Sequence, residues 1–169
     1  GATNVDVNLG NATLSAGTSL DVSPVEAGLV TADLTLNNNS KLLLGRRIQI
    51  LGNLSNTGGT FEFQNNTDET IRLTGGGRQT LDTTTPITLE SLEISNSRDD
   101  ANTNPPEDVE VLNDSESFTI GRELIVTDGQ FKTNQNVILD SGARIVYSGE
   151  TSSGTFDDKI LDDIIAERD

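Results

Sequence analysis

The chain has 169 residues, 27 Asp and Glu against 11 Lys and Arg, a net charge of −16, and no Cys, His, Met or Trp. So few cations disfavour nucleic acid or an anionic membrane as partner, because phosphate binding rests on Lys and Arg. Without Cys and His there is no disulfide framework, no thiolate or imidazole metal site, no cysteine nucleophile and no Ser-His-Asp triad.

Five Phe and one Tyr leave Leu, Ile and Val to build the core. They recur in short alternating runs: VDVNL at 5–9, LTL at 34–36, KLLL at 41–44, IQIL at 48–51, FEF at 61–63 and IRL at 71–73. The series continues with ITLESLEI at 87–94, VEVL at 109–112, FTI at 118–120, LIV at 124–126, VIL at 137–139 and RIVY at 144–147. Period-two runs bounded by Gly, Asn, Asp and Ser are the pattern of short strands, so the class is all-β. The alternation predicts inward positions at Leu42, Leu44, Ile48, Ile50, Phe61, Phe63, Ile71, Leu73, Leu89, Ile94, Ile120, Leu124, Val126, Val137 and Leu139.

A sandwich or jelly roll and a parallel β-solenoid both fit many short strands, and internal repetition separates them. A shift of 76 residues lays Gly45-Arg46 on Gly121-Arg122, Leu42 on Phe118, Leu44 on Ile120, Ile48 on Leu124, Ile50 on Val126, Phe61 on Val137 and Phe63 on Leu139. Three coils in that shift make each coil about 25 residues, within the usual range for solenoid repeats. The expectation is a right-handed parallel β-solenoid (β-helix) of roughly six to seven coils, with a sandwich or jelly roll as the alternative.

Gly75-Gly76-Gly77 raises the question of a phosphate loop. Such a loop needs Gly-Lys-Ser/Thr opening a helix, whereas Arg78, Gln79 and a Thr-rich strand follow here. The glycines are expected to serve a tight corner by adopting positive φ.

The stretch GGGRQTLDTTTPITLESLEISNS, followed by VEVLNDSESFTIGRELIVTDGQFKTNQNVILDSGARIVYSG, resembles the repeats of secreted bacterial β-solenoid surface proteins and adhesins. Their theme is a Gly-rich turn, Gln-Thr-Ile/Leu, a Leu-x-Ile-x-Asn strand and then G-x-L-x-V-x-x-G-x-F/L-x-T. Residues 41–150 carry it, and 1–40 follow it loosely. The resemblance implies a solenoid fold in an extracellular setting. The opening GATN also suits the mature side of a signal-peptidase cut, and no stretch reaches membrane-span length.

Two segments depart from the repeat. NSRDDANTNPPEDVE, 96–110, reads as a loop protruding from a solenoid domain over 1–154. In the tail, 155–169, Ile160, Leu161, Ile164 and Ile165 share one face behind a capping-box-like Thr155 and Asp158, so an amphipathic helix is expected to dock there.

Candidate chemistry is sparse. The pairs Asp99-Asp100, Asp157-Asp158 and Asp162-Asp163 offer hard oxygens to calcium but lack EF-hand or nonapeptide spacing. Glu90 and Glu93 could form a glycosidase pair. Three apart on a strand, however, they are expected on opposite faces, with Tyr147 the only large polar aromatic to stack a sugar. Five Asn-x-Ser/Thr sequons, from Asn11, Asn38, Asn53, Asn65 and Asn113, are no clear excess in so Asn-rich a chain. No enzyme, cofactor or metal function is expected, calcium being the weak exception.

A solenoid must cap the edges of its terminal coils. Residues 5–22 are strand-like and lack Lys or Pro at the strand positions, which makes an uncapped first coil a polymerisation surface. The expected function is a secreted, cell-surface structural subunit that assembles with copies of itself, end to end or by strand exchange, into a filament. Val5, Val7, Leu9, Leu14, Ile160, Leu161, Ile164 and Ile165 are its candidate assembly residues. The alternative is an adhesin-type module that binds a surface glycan or protein through the 96–110 loop or a flat sheet face. An ice-facing solenoid ranks below both, since no Thr-x-Thr ladder is evident and Thr83, Thr84 and Thr85 form one local run.

Overall fold

The structure is a computed structural model. It describes residues 7–22, 28–45, 47–64, 70–96, 109–111, 118–128, 131–133 and 137–147. Among these residues there are seventeen strands and no helix.

The first coil holds β1 (Val7–Asn8), β2 (Ala12–Leu14) and β3 (Ser19–Asp21). The second repeats them as β4 (Leu29–Thr31), β5 (Leu34–Leu36) and β6 (Lys41–Leu44), and the third as β7 (Ile48–Ile50), β8 (Leu54–Asn56) and β9 (Thr60–Phe63). Then follow β10 (Thr70–Leu73), β11 (Gln79–Thr83), β12 (Ile87–Ser95), β13 (Val109–Val111), β14 (Phe118–Asp128), β15 (Phe131–Thr133), β16 (Val137–Leu139) and β17 (Arg144–Tyr147).

In the first two coils each strand pairs, in parallel, with the strand three elements later. That connectivity is a β-solenoid. It excludes the sandwich alternative, whose sheets are antiparallel. Three sheets result, of eight, six and three strands among the described residues.

Strands β12 and β14 are long because each turns a corner. Ile87–Leu89 pair with Phe118–Ile120, and beyond the bend Ser91–Ile94 pair with Glu123–Val126, in line with β10 and β17. The register slips between Leu89 and Ser91, where β14 carries one more residue than β12; this is a β-bulge that bends the strand.

Turn length varies. The residues paired along the first face are Val7, Leu29, Ile48, Ile71, Leu92, Leu124 and Ile145, so a turn takes from 19 residues (29 to 48) to 32 (92 to 124). The 76-residue shift from Ile48 to Leu124 therefore spans three turns of unequal length, through Ile71 and Leu92.

Parallel stacking puts like residues over like at about 4.8 Å per rung, so inward side chains form continuous columns. Ile48, Ile71, Leu92 and Leu124 make one column, and Leu34, Leu54 and Leu81 another, all buried. Each such side chain stabilises the fold by about 1.5–3 kcal/mol relative to exposure. Twelve of the fifteen predicted inward positions are buried and Phe61, Phe63 and Leu139 are half-buried against them, while the core also holds Leu14, Leu29, Leu34, Leu36, Leu54, Leu81, Leu92, Phe118 and Phe131, which the alternation does not single out. Phe118 and Phe131 meet edge to face inside, with centroids 6.1 Å apart and planes at 71°.

At the corners, buried polar side chains satisfy backbone groups that leave the ladders. The Gln79 amide donates to Ile50 O (3.0 Å) and Gly52 O (2.6 Å), and Asn96 Nδ2 donates to Gly77 O (2.6 Å) and Gln79 Oε1 (3.1 Å). The glycine cluster is thus a corner, but not through positive φ. Among the described residues the positive-φ glycines are Gly10, Gly17, Gly58 and Gly142, and none of Gly75–Gly77 is among them. Gly75 is required by close approach instead, since a Cβ there would lie 2.8 Å from Leu51 O and 2.9 Å from Gln79 Cδ.

Of the expected 96–110 loop, Asn96 is buried at the corner just described and Val109–Glu110 belong to β13. Residues 97–108 and the expected helix over 155–169 lie outside the described residues.

Candidate functional site

All three sheets begin on the same coil: among the described strands, β1, β2 and β3 are each the first strand of their sheet. The backbone of this coil bonds to the coil beneath. The N–H groups of Leu9, Ala12, Gly17 and Val22 donate to the carbonyls of Val30, Asp33, Asn38 and Leu43, at 2.8 to 3.0 Å. In a parallel ladder successive residues aim their N–H and C=O groups to opposite sides. The intervening Asn8, Thr13 and Ser19 therefore direct theirs out of the stack, as an edge that a further parallel strand would complete.

The core is open at the same place. Leu9 continues the inward column of Thr31, Ile50, Leu73 and Ile94; those four are 0 % exposed, whereas Leu9 is 39 % exposed. Leu20 and Val22 of the same coil are only half-buried. Among the described residues, this end accordingly combines the outermost strand of each sheet with apolar surface.

A second feature runs from this end down the corner preceding β2, β5, β8 and β11. The Thr80 N–H and hydroxyl donate to Asn53 Oδ1 (2.9 and 3.0 Å), and the Asn53 N–H to Asp33 Oδ1 (2.7 Å). The Asp33 N–H reaches Asn11 Oδ1 at 3.4 Å. Each coil's Asn or Asp oxygen thus caps the amide of the coil after it. Gly52 is needed at this corner, because a Cβ there would overlap the Asp33 carboxylate.

Beside this ladder, the outward face of the second sheet carries Thr13, Thr35, Ser55 and Asp82 in one register column. The far flank is also fixed, by Asn37 Nδ2 on Leu14 O (3.0 Å) and the Thr57 hydroxyl on Leu36 O (3.4 Å). Hydroxyl residues do align between coils, then, though as one Thr/Ser per rung and not as Thr-x-Thr pairs.

The candidate assembly residues separate. Val7 and Leu9 lie on the first coil, Val7 paired with Leu29 through its backbone. Leu14 is buried, 5 % exposed, and belongs to the core, so it offers no assembly surface. Val5, Ile160, Leu161, Ile164 and Ile165 lie outside the described residues, as do the pairs Asp99-Asp100, Asp157-Asp158 and Asp162-Asp163. Among the described residues no three carboxylates gather.

Glu90 and Glu93 do not obey strict alternation. Ser91 and Leu92 are both buried where β12 bends, so both carboxylates face outward. Glu93 pairs with Arg72 at 2.9 Å, and Glu90 lies near Gly121 on the next rung. Arg144 with Glu123 and Lys41 with Glu62 (2.6 Å) likewise link neighbouring rungs on outer faces.

Comparison of the chain with protein-family models, with curated proteins and with solved structures finds no match in any of the three.

Proposed function

We propose that this chain is a structural β-solenoid subunit of a cell-surface filament, joined to copies of itself through the open first coil. The observation that carries this reading is the exposure of Leu9 above the buried Thr31, Ile50, Leu73 and Ile94, at the coil that holds the first described strand of all three sheets. An edge of this kind gains main-chain hydrogen bonds from an added strand, and burying the leucine adds an apolar contribution. The extracellular setting rests on the resemblance to secreted repeats.

The test is negative-stain imaging of the purified chain at increasing concentration, with diffraction from aligned samples. The reading requires filaments with a repeat of about 4.8 Å along their axis, the spacing of stacked strands. A chain that stays monomeric at high concentration removes it.

A binding module remains the second reading, favoured by the flat outer face of the second sheet, where Thr13, Thr35, Ser55 and Asp82 present oxygens between two hydrogen-bonded flanks. Retention of the monomer on surface glycans or proteins, lost when Thr35 and Ser55 are replaced by Leu, would support it over the filament.

A further inference from the structure

Among the described residues the third sheet stops at β9, inside the stack and not at its end. On the other two faces the coils on either side of this level are joined without interruption, β7 to β10 and β8 to β11. In chain order Ile87–Leu89 of β12 hold the place after β11 that β9 holds after β8, yet they pair with β14 and β9 pairs with β6. The stack is split here on one side.

Both borders of the split present backbone groups to it. The N–H groups of Thr60 and Gln64 donate to Ser40 O (2.9 Å) and Leu44 O (2.8 Å), so by alternation Phe61 and Phe63 aim theirs away from β6. On the other border the Asp140 N–H donates to Ile120 O (2.9 Å), which turns Thr119 towards β12 and leaves Thr88 aimed away from β14. Pro86, at the entry to β12, has no N–H with which to close the split. The core is also less sealed at this level. Phe61 and Phe63 are half-buried, although Leu42 and Leu44 beneath them are 0 % and 1 % exposed, and Ile87 is half-buried as well.

We infer that the split is a docking slot for an extended segment of another protein, laid parallel between β9 and β12 with apolar residues inward and Lys or Arg outward. One strand there gains main-chain hydrogen bonds along both edges and covers Phe61, Phe63 and Ile87. Charge selects the outward residues. Positions 60–64 and 84–90 hold Glu62 and Glu90, both exposed, and no Lys or Arg. Lys41 already shows the pairing: it stands in register with Thr60 and reaches Glu62, two residues along the next rung, at 2.6 Å. An incoming Lys serves Glu90 in the same way.

The chain's own segments fit poorly. Residues 65–69 are too few to run back along the four residues of β9 and return to Thr70, since each direction takes about as many residues as the strand itself. Residues 148–169 carry seven Asp or Glu against two Lys or Arg, the wrong charge for this rim. In a second copy, Lys41–Leu44 is already built into its own third sheet. The slot does not rest on the filament reading, because it lies between two described strands within one chain.

The probes are three acetylated, amidated hexapeptides of alternating Lys-Val, Lys-Ser and Glu-Val. Binding to the intact chain is followed by chemical shifts and by hydrogen exchange at the Phe61, Phe63 and Thr88 amides. The Lys-Val peptide is expected to bind about fivefold or more tighter than either of the others and to slow exchange at those three amides. Glu90→Gln should weaken it about threefold or more, whereas Asp82→Asn, on the outward face of the second sheet, should leave it unchanged.

Equal binding of the Lys-Val and Lys-Ser peptides reduces the contact to general charge attraction and overturns the slot. Binding of none overturns it too, as do shifts confined to the first coil or to the outward face of the second sheet. Slow exchange at Phe61, Phe63 and Thr88 before any peptide is added would place the chain's own residues in the split, and also overturns it. The filament reading stands or falls separately, by imaging.

Discussion

The Asn53 amide donates to the Asp33 carboxylate at 2.7 Å across a gap of 20 residues in sequence, joining two coils at a single corner. The same carboxylate residue donates its own amide to Asn11, so Asp33 links three consecutive coils. Removing its side chain leaves the Asn53 amide without that acceptor. Asp33→Ala should destabilise the fold by about 1–2 kcal/mol, the cost of a hydrogen bond to a charged group that is not fully buried. Asp33→Asn keeps an acceptor and should cost less. Urea unfolding of the two variants checks the order, and equal losses would show that the acceptor is immaterial.

Gly75 and Gly76 are adjacent but differ in what surrounds them. A Cβ at Gly75 would meet Leu51 O at 2.8 Å and Gln79 Cδ at 2.9 Å, whereas nothing lies within 4 Å of one at Gly76. Gly75→Ala should therefore cost about 1–3 kcal/mol through overpacking. Gly76→Ala should be neutral or stabilise by up to about 1 kcal/mol, through lost freedom of the unfolded chain. Thermal melts of the pair distinguish close approach from a positive-φ requirement, which would penalise both.

Ile50 and Leu124 are 0 % exposed in the stacked columns. An aspartate at either place is an unpaired buried charge, and its cost is on the order of the domain's whole stability, about 5–15 kcal/mol. Ile50→Asp and Leu124→Asp should give unfolded or insoluble chains. Leu81→Ala, which opens a cavity only, should fold with a loss of about 2–5 kcal/mol. Cooperative unfolding of the Asp variants would contradict the column assignment.

Much of the fold is legible in the amino-acid sequence because each inward column repeats a two-residue alternation. Ile48-x-Ile50 and Leu124-x-Val126 show it locally, and the 76-residue shift relates them across three turns. The corner ladder is harder to see, since its spacings of 22, 20 and 27 residues follow uneven turns. The signal was present as a small residue before Asx, in Gly10-Asn11, Ala32-Asp33 and Gly52-Asn53. At Gly52 the missing side chain leaves room for the Asp33 oxygen of the neighbouring coil. Glu90 and Glu93 escaped the alternation rule because β12 bends at Ser91 and Leu92. Nothing in a string of residues marks such a bend when the extra residue that causes it sits on the partner strand.

Calcium should have little effect on stability. The acidic pairs lack the spacing of known calcium loops, and a ligand stabilises the folded state only in proportion to its binding there. Melting temperatures in millimolar calcium and in millimolar magnesium should agree. A rise specific to calcium would assign a site to the acidic pairs at 99–100, 157–158 or 162–163.

The central claim is that the first coil is an association surface. Deleting residues 1–14 is a poor test, because β4 and β5 would become new edge strands with the same ladder geometry. Blocking the edge is better: Thr13→Pro removes an amide aimed out of the stack, and Leu9→Lys puts a charge on the open end of the core. The most direct measurement is sedimentation velocity over a wide concentration range, for the parent chain and this double variant. The account predicts that the parent grows into large species with concentration, while the variant stays monomeric with unchanged β circular dichroism. A parent that remains a monomer throughout, or a variant that assembles as the parent does, would contradict it.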